Sequence, residues 1–190
     1  MIEPMKAVLS GEPFSDPDWI FERKLDGIRA IAIKDGSGVS LVSRTARRMN
    51  DQFPEVVRAL EEEPADDFIV DGELVAFENG VTSFARLQQR AREHVPVFLY
   101  VFDLPRYEGE DLRPLPLRER KARLRRGLDF HGPIRFNPHR NGEHGKGQKR
   151  PQLTHREHSS LKYAPDGAEP LRHQCGGCGR PSQFALPIPS

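Results

Sequence analysis

The chain contains 190 residues, of which 36% are hydrophobic and 30% are charged, and its formal net charge at pH 7 is +1. This length accommodates one ordinary domain, alone or with an appendage. No uninterrupted apolar stretch approaches the ~20 residues that span a bilayer, and the first residues lack the apolar segment of a signal peptide. The sequence therefore argues against a membrane protein and predicts a soluble, cytoplasmic one.

The near-neutral charge conceals two parts of different composition. Residues 137–190 contain eight Lys or Arg and four Asp or Glu, whereas residues 1–136 contain 21 and 24. Only six of the 54 residues in the C-terminal part are large aliphatic residues or phenylalanine, well below the ~20% that marks disorder. The composition predicts a folded body and a tail that cannot build a core.

Strands dominate the predicted body. Alternation and apolar runs predict strands at 19–23, 28–34, 39–43, 68–77 and 97–104. The turn cluster Asp35-Gly36-Ser37-Gly38 predicts a hairpin between the second and third of these, and Asn79-Gly80 is typical of a type I′ turn. Strands that are joined by such tight turns pair in an antiparallel arrangement, so mostly antiparallel sheets are predicted.

Three helices are predicted between and after these strands. Pro54 suits the first position of a helix over 55–62, with Val56, Val57 and Leu60 on one face. Ser83 is a candidate N-cap for a helix that reaches about residue 92. The last helix, over 117–126, is expected to end with Gly127 as its C′ residue.

The segment Lys24-Leu25-Asp26-Gly27-Ile28-Arg29 places an amine beside a carboxylate, a glycine and a guanidinium, just after a predicted strand. Lysine is a poor nucleophile while protonated, with a reference pKa near ~10.4. Covalent chemistry at Lys24 therefore needs neighbouring cations or desolvation, and Arg29, Arg44 and a bound metal ion are candidates to supply that field. Gly27 would allow a phosphate or the backbone to approach closely. The alternative is a turn whose charges are solvated.

Further motifs follow in a defined order: Ser43-Arg44-Thr45 with Asn50, Val70-Asp71-Gly72-Glu73-Leu74-Val75, and Leu99-Tyr100-Val101-Phe102-Asp103-Leu104. Together with the lysine segment, their order and spacing resemble the ATP-dependent DNA ligases of the covalent nucleotidyltransferase superfamily. The flanks, including the segments 17–22 and 114–120, resemble bacterial ligases of end-joining repair. The resemblance covers residues 1–140 and implies an α+β adenylation domain, ATP-grasp-like, with mostly antiparallel sheets and flanking helices.

The resemblance also implies a role for each motif residue. Lys24 would be catalytic: its amine attacks the α-phosphate of ATP, expels pyrophosphate and holds AMP, which passes to a DNA 5′-phosphate before a 3′-hydroxyl displaces it. The implied nucleotide-binding residues are Glu22 at the adenine amino group, Arg29 and Arg44 near ribose and phosphates, Glu73 at the ribose or the catalytic metal ion, and Phe102 stacked on adenine. The implied cofactors are ATP and Mg²⁺ or Mn²⁺. The implied partners are nicked or broken double-stranded DNA and end-joining repair proteins, with the chain a monomer.

Each of these roles competes with a simpler interpretation. The two arginines could form surface ion pairs, Glu73 could face solvent at a strand end, and Phe102 could pack in the core. Strand alternation is expected to place Phe102 on one face with Tyr100 and Leu104.

The last predicted helix carries a basic cluster formed by Arg118, Arg120, Lys121, Arg123, Arg125 and Arg126. Such a cluster could follow the phosphates of a DNA backbone. It could equally form a solvated helix face.

The resemblance stops near Arg140. The motifs E-G-[VI]-[VIM]-x-K and K-x-K, which follow in ligase adenylation domains, and the OB-fold domain beyond them are not found in residues 141–190, which read as a disordered or frameshift-like tail. We expect the truncation to impair activity. The alternatives left open are a capping-type guanylyltransferase or RNA ligase, and a non-catalytic remnant that binds DNA or a partner.

Cys175-Gly176-Gly177-Cys178, with His173 close by, is a weak zinc signal. A structural zinc site needs four ligands, usually including a second cysteine or histidine pair at suitable spacing. A solvated or adventitiously metal-binding tail is the alternative.

Overall fold

The computed structural model describes residues 20–141 and the two short strands Val8–Leu9 and Leu161–Tyr163. The cysteine pair at 175 and 178 lies outside the described residues, and so does most of the predicted tail. The described residues of that tail are Asn141 and Leu161–Tyr163, which lie in strands. In the described part of the chain, no helix is both long and apolar enough to cross a membrane.

Strands and helices are numbered here in chain order. The strands are β1 (Val8–Leu9), β2 (Ile20–Glu22), β3 (Ile28–Asp35), β4 (Gly38–Ser43), β5 (Phe68–Val75), β6 (Phe77–Glu78), β7 (Val81–Thr82), β8 (Phe98–Tyr107), β9 (Glu110–Asp111), β10 (Ile134–Phe136), β11 (His139–Asn141) and β12 (Leu161–Tyr163). The α-helices are α1 (Pro54–Glu61), α2 (Phe84–Gln88) and α3 (Leu117–Gly127), and short 3₁₀ turns span Asn50–Gln52 and Gln89–Ala91.

Two sheets and a small hairpin contain these strands. The larger sheet has the order β10-β8-β5-β3-β4, with β9 paired to β8, and the smaller has the order β1-β12-β2-β11. Among the strands that the structure describes, all pairs are antiparallel except β8 with β10. The expected α+β fold with mostly antiparallel sheets is confirmed.

Local turn and cap signals explain the hairpins and the first two helices. Asn79 and Gly80 have φ values of 51° and 78°, as a type I′ turn requires, and they join β6 to β7. Pro54 is at the start of α1, as predicted. The Ser83 hydroxyl accepts a hydrogen bond from the Arg86 amide at 3.1 Å, but α2 ends at Gln88 and continues only as a 3₁₀ turn.

The C′ role predicted for Gly127 is wrong. Gly127 is the last residue of α3, and Leu128 follows in an extended conformation. A Cβ at Gly127 would lie 2.8 Å from the ring of Tyr107, whose hydroxyl donates to the Gly127 carbonyl at 3.2 Å. Gly127 does not adopt a positive φ, and its lack of a Cβ leaves room for the ring of Tyr107.

The main core lies on one face of the larger sheet. Strand alternation places Ala30 and Ala32 of β3, and Phe68, Val70 and Leu74 of β5, on that face. Helices α1 and α3 contribute Val56, Ala59, Leu60 and Leu124 to the same cluster. The alternate side chains of these strands point to the opposite face of the sheet, away from this core.

Candidate functional site

The face of the larger sheet opposite the core brings polar residues of three strands together. Arg29 of β3 lies opposite Glu73 of β5, which lies opposite Tyr100 of β8. Two positions along, Ile31 lies opposite Asp71. Because side chains two residues apart share a face, Arg29, Asp71 and Glu73 point to the same side of the sheet.

Arg29 and Asp71 form a fork-to-fork ion pair at the centre of this face. Arg29 Nε and Nη2 each donate to one Asp71 carboxylate oxygen at 2.6 Å, a geometry that fixes the plane of the guanidinium. Asp71 is 2% exposed. Burial raises the pKa of the Asp71 carboxyl, and the Arg29 hydrogen bonds and charge oppose that rise. The sequence predicted no role for Asp71, although its position two residues before Glu73 places both side chains on the same face of β5.

Glu73 is a half-buried carboxyl group beside this pair. Burial raises its pKa to about 7, Arg29 opposes the rise, and Asp71 and Asp26 add to it. A backbone hydrogen bond from Gly27 also favours the ionised form. Glu73 thus lies beside Arg29, and the alternative interpretation of Glu73 as a solvent-facing side chain is wrong.

The loop that carries Lys24 is held at several points. Lys24 is exposed, between β2 and β3. The Asp26 amide donates to Thr82 Oγ1 at 3.1 Å, and Asp26 Oδ2 accepts from the Phe84 amide at 2.9 Å. A Cβ at Gly27 would lie 2.0 Å from the Leu74 carbonyl oxygen, so this glycine serves the close approach of backbone to backbone. These contacts fix the loop against β5 and the β6–β7 hairpin.

Phe102 lies on the face of Arg29, but its predicted neighbours are only partly correct. The Arg29 guanidinium carbon lies 4.7 Å from the centre of the Phe102 ring, and Phe102 is 6% exposed. Leu104 belongs to the core cluster on the opposite face, so its predicted shared face with Phe102 is wrong. The cause is a bulge: adjacent Asp71 and Gly72 lie opposite Asp103 and Val101, which leaves Phe102 as the extra residue and shifts the alternation.

Glu22 is buried near the end of β2. Its Oε1 accepts from Lys121 Nζ at 2.5 Å and from Asn137 Nδ2 at 3.2 Å. Arg120, the neighbour of Lys121, is also buried and donates to both oxygens of Asp103 at 2.8 and 3.2 Å. The basic cluster of α3 is therefore not one exposed stripe, because two of its six members are paired inside the protein.

Arg44 lies in the turn after β4 and is exposed. Ser43 shapes this turn: its amide donates to the Arg47 carbonyl at 2.9 Å, and its carbonyl accepts from Ala46 at 2.8 Å. Asn50 bonds the backbone of Leu41 and Val39 through its side chain. Within residues 20–141, no hydrogen bond or ion pair joins Arg44 to the Arg29 group.

A cavity of about 350 Å³ opens elsewhere on the surface. Its lining includes Val95, Val97, Phe98 and Pro133 and none of the predicted site residues. The cluster of charges around Arg29 and the loop at Lys24 are thus the better candidate for chemistry.

Comparison with known proteins agrees with the fold and motifs. The family model described as ATP dependent DNA ligase domain matches residues 4–146. The chain therefore belongs to the ATP-dependent DNA ligase family, and the resemblance seen in the motifs is confirmed at that level.

Individual relatives point to the same family. A protein of Opitutus terrae named "Probable DNA ligase" is 38% identical over 138 residues, covering 67% of this chain and 13% of that protein. The multifunctional non-homologous end joining protein LigD of Pseudomonas aeruginosa is 38% identical over 125 residues, covering 63% of this chain and 15% of LigD. The solved structure titled "mycobacterial DNA ligase D complexed with ATP and MES" has a TM-score of 0.60 and 25% identity, covering 74% of this chain and 46% of that one. The chain thus spans a small part of the curated relatives it matches.

Proposed function

We propose that this chain forms the nucleotide-binding part of an ATP-dependent DNA ligase and that Lys24 is its site of adenylylation. The observation that carries the proposal is the grouping of Arg29, Asp71, Glu73 and Phe102 on one sheet face, directly after the loop of Lys24. This grouping offers a cation, carboxylates and an aromatic ring to one ligand. ATP presents phosphates, a ribose and a purine that match them.

The proposed reaction has three steps: adenylylation of Lys24, transfer of AMP to DNA, and joining of the strand. Deprotonated Lys24 Nζ attacks the α-phosphorus of ATP, a P–N bond forms, and the bond to the pyrophosphate oxygen breaks. Pyrophosphate leaves, and AMP stays on the lysine as a phosphoramidate. A DNA 5′-phosphate oxygen then attacks the same phosphorus, the P–N bond breaks, and the lysine nitrogen takes up a proton as it leaves. The adjacent 3′-hydroxyl loses its proton and attacks the DNA 5′-phosphorus, and AMP leaves as the new phosphodiester bond closes the backbone.

Arg29 is proposed to change partners when ATP binds. In the structure it binds Asp71 and covers the ring of Phe102, so adenine reaches this ring only after a neighbouring group moves. Moving Arg29 both uncovers the ring and brings its guanidinium fork to phosphate or ribose oxygens. Arg44, exposed on its turn, is proposed to contact the phosphates from the side.

A divalent cation fits this site only together with the nucleotide. Among the described residues, no group of three His, Cys, Asp or Glu side chains could hold a metal ion. Mg²⁺ is usually bound by one or two carboxylates plus substrate phosphates, and Glu73 supplies one such oxygen ligand. The cation would offset the charge that develops on the phosphates.

Duplex DNA with a nick or break is the proposed substrate, since the relatives are DNA ligases and the LigD relative is an end-joining protein. The exposed arginines of α3, Arg118, Arg125 and Arg126, are proposed to contact DNA phosphates. A monomeric state and a cytoplasmic location remain predictions.

The test is equilibrium binding of ATP to the purified chain and to Phe102→Leu. Because base–aromatic stacking is worth ~1–3 kcal/mol, we expect Phe102→Leu to weaken ATP binding by about tenfold or more. Phe84→Leu is the matched control, since Phe84 is an exposed phenylalanine outside the sheet face. Equal affinity for all three proteins, or no ATP binding by the unaltered chain, would remove the proposed site.

A further inference from the structure

A lysine without solvent exposure lies in α3. Lys121 is 0% exposed, and its amine contacts Oε1 of Glu22 at 2.5 Å across 99 residues of sequence. Its pKa is lowered by burial, and the Glu22 carboxylate opposes that change. The ion pair between Lys121 and Glu22 thus joins α3 to β2, the strand that ends two residues before Lys24.

Stability alone is a weak explanation for this pair. Removing two charges from water carries a large desolvation cost, and apolar residues of similar volume often stabilise a protein as well or better. What an ion pair supplies and an apolar pair does not is an oriented carboxylate. Lys121 therefore matters most for the direction in which Glu22 presents its oxygens.

Asn137 fixes the same carboxylate from a second direction. The side-chain Nδ2 of Asn137 donates to Oε1 of Glu22 at 3.2 Å, and the backbone amide of Asn137 donates to the Val101 carbonyl at 2.8 Å. Val101 precedes Phe102 in β8. Asn137 therefore connects the carboxylate of Glu22 to the backbone beside the ring of Phe102, and two donors on Oε1 set the rotation of the carboxylate.

We infer that Lys121 and Asn137 are positioning residues that orient Glu22 relative to Phe102 and thereby select adenine. The inference rests on the proposed function, in which Phe102 stacks on the base. A carboxylate accepts a hydrogen bond from the 6-amino group of adenine, whereas guanine has a carbonyl oxygen at that position and offers no donor. Loosening Glu22 should reduce this discrimination and leave stacking on Phe102 in place.

The experiment compares ATP with purine riboside triphosphate, which lacks the 6-amino group, and with GTP. Equilibrium dissociation constants are measured for the full chain, for Lys121→Met, for Asn137→Ala and for the control Glu119→Met, at an exposed residue of the same helix. Because loss of one hydrogen bond to a charged acceptor is worth ~1.5–3 kcal/mol, we expect the unaltered chain and Glu119→Met to prefer ATP over the deamino analogue by about tenfold or more. In Lys121→Met the preference should fall to about twofold while affinity for the analogue stays unchanged.

The outcomes separate the two claims. If the unaltered chain does not bind ATP, the proposed function fails and this inference fails with it. If it prefers ATP and a folded Lys121→Met keeps the full preference, the positioning role is overturned and the proposed function stands. If Lys121→Met does not fold by circular dichroism, Asn137→Ala decides, since it keeps the backbone bond to Val101: a reduced preference supports the inference and a full preference overturns it.

Discussion

Arg29 and Asp71 form a two-point ion pair in which both hydrogen bonds measure 2.6 Å, and the carboxylate is almost completely buried. Asp111 and Arg113 form a pair of the same geometry, at 2.8 and 2.6 Å, on the exposed surface. The two side-chain pairs share this geometry and differ in solvent access, although Asp111 Oδ1 also accepts from the Arg113 backbone amide at 3.1 Å. They therefore allow the effect of burial to be measured within one protein.

We expect Asp71→Asn to lower the free energy of unfolding by about 2 kcal/mol, less than for a fully buried pair because Arg29 keeps some contact with water. Asp111→Asn should leave stability unchanged within error, since exposed pairs contribute little. Urea denaturation of both variants measures the difference. Equal effects of the two substitutions would show that Asp71 is not the buried anchor of Arg29.

Gly27 is required by the path of the backbone beside Lys24. A Cβ there would lie 2.0 Å from the Leu74 carbonyl oxygen, whereas a Cβ at Gly36 meets nothing within 4 Å. Because the backbone must shift, we expect Gly27→Ala to destabilise the chain by about 1–3 kcal/mol, and Gly36→Ala to change stability by less than about 0.5 kcal/mol. Thermal and urea unfolding check this, and a harmless Gly27→Ala would contradict the packing of the loop on β5.

The carboxyl group of Glu73 should make stability depend on pH. The pKa of Glu73 is about 7 in the folded chain, against 4.5 for an ordinary glutamate, so the folded chain binds more protons than the unfolded chain between these pH values. The stabilisation that Glu73 contributes to folding is fully present below about pH 4.5 and is lost as the pH rises through 7. Relative to Glu73→Gln, which does not titrate, the unaltered chain should lose up to about 3 kcal/mol between pH 4.5 and 8. If the stability of the unaltered chain relative to Glu73→Gln stays constant or increases as the pH rises, the burial of Glu73 is refuted.

Features encoded by neighbouring residues were predictable from the sequence. The Asn79-Gly80 turn, the Ser83 cap and the start of α1 at Pro54 depend on backbone preferences of a few adjacent residues. The motif order also identified the family. Local signals of this kind do not depend on how distant segments pack.

Features that depend on distant partners were missed. The contact of Lys121 with Glu22 spans 99 residues, so helical periodicity alone made Lys121 look like part of an exposed basic face. The bulge at Phe102 follows from pairing with β5 and not from the sequence of β8. A glycine near the end of a helix is likewise typical of a helix stop, but the neighbour of Gly127 in the fold is the ring of Tyr107, which is distant in sequence.

Covalent labelling of Lys24 tests the central claim most directly. The chain is incubated with ATP labelled at the α-phosphate and Mg²⁺, and the labelled peptide is mapped by mass spectrometry. Lys24→Arg keeps the charge but removes the reactive amine, and Arg23→Ala alters the exposed neighbour as a control. We predict label on Lys24 in the unaltered chain and in Arg23→Ala, none in Lys24→Arg, and loss of the label as ATP when pyrophosphate is added. Label on another residue, or label retained by Lys24→Arg, would contradict the assignment of Lys24 as the nucleophile.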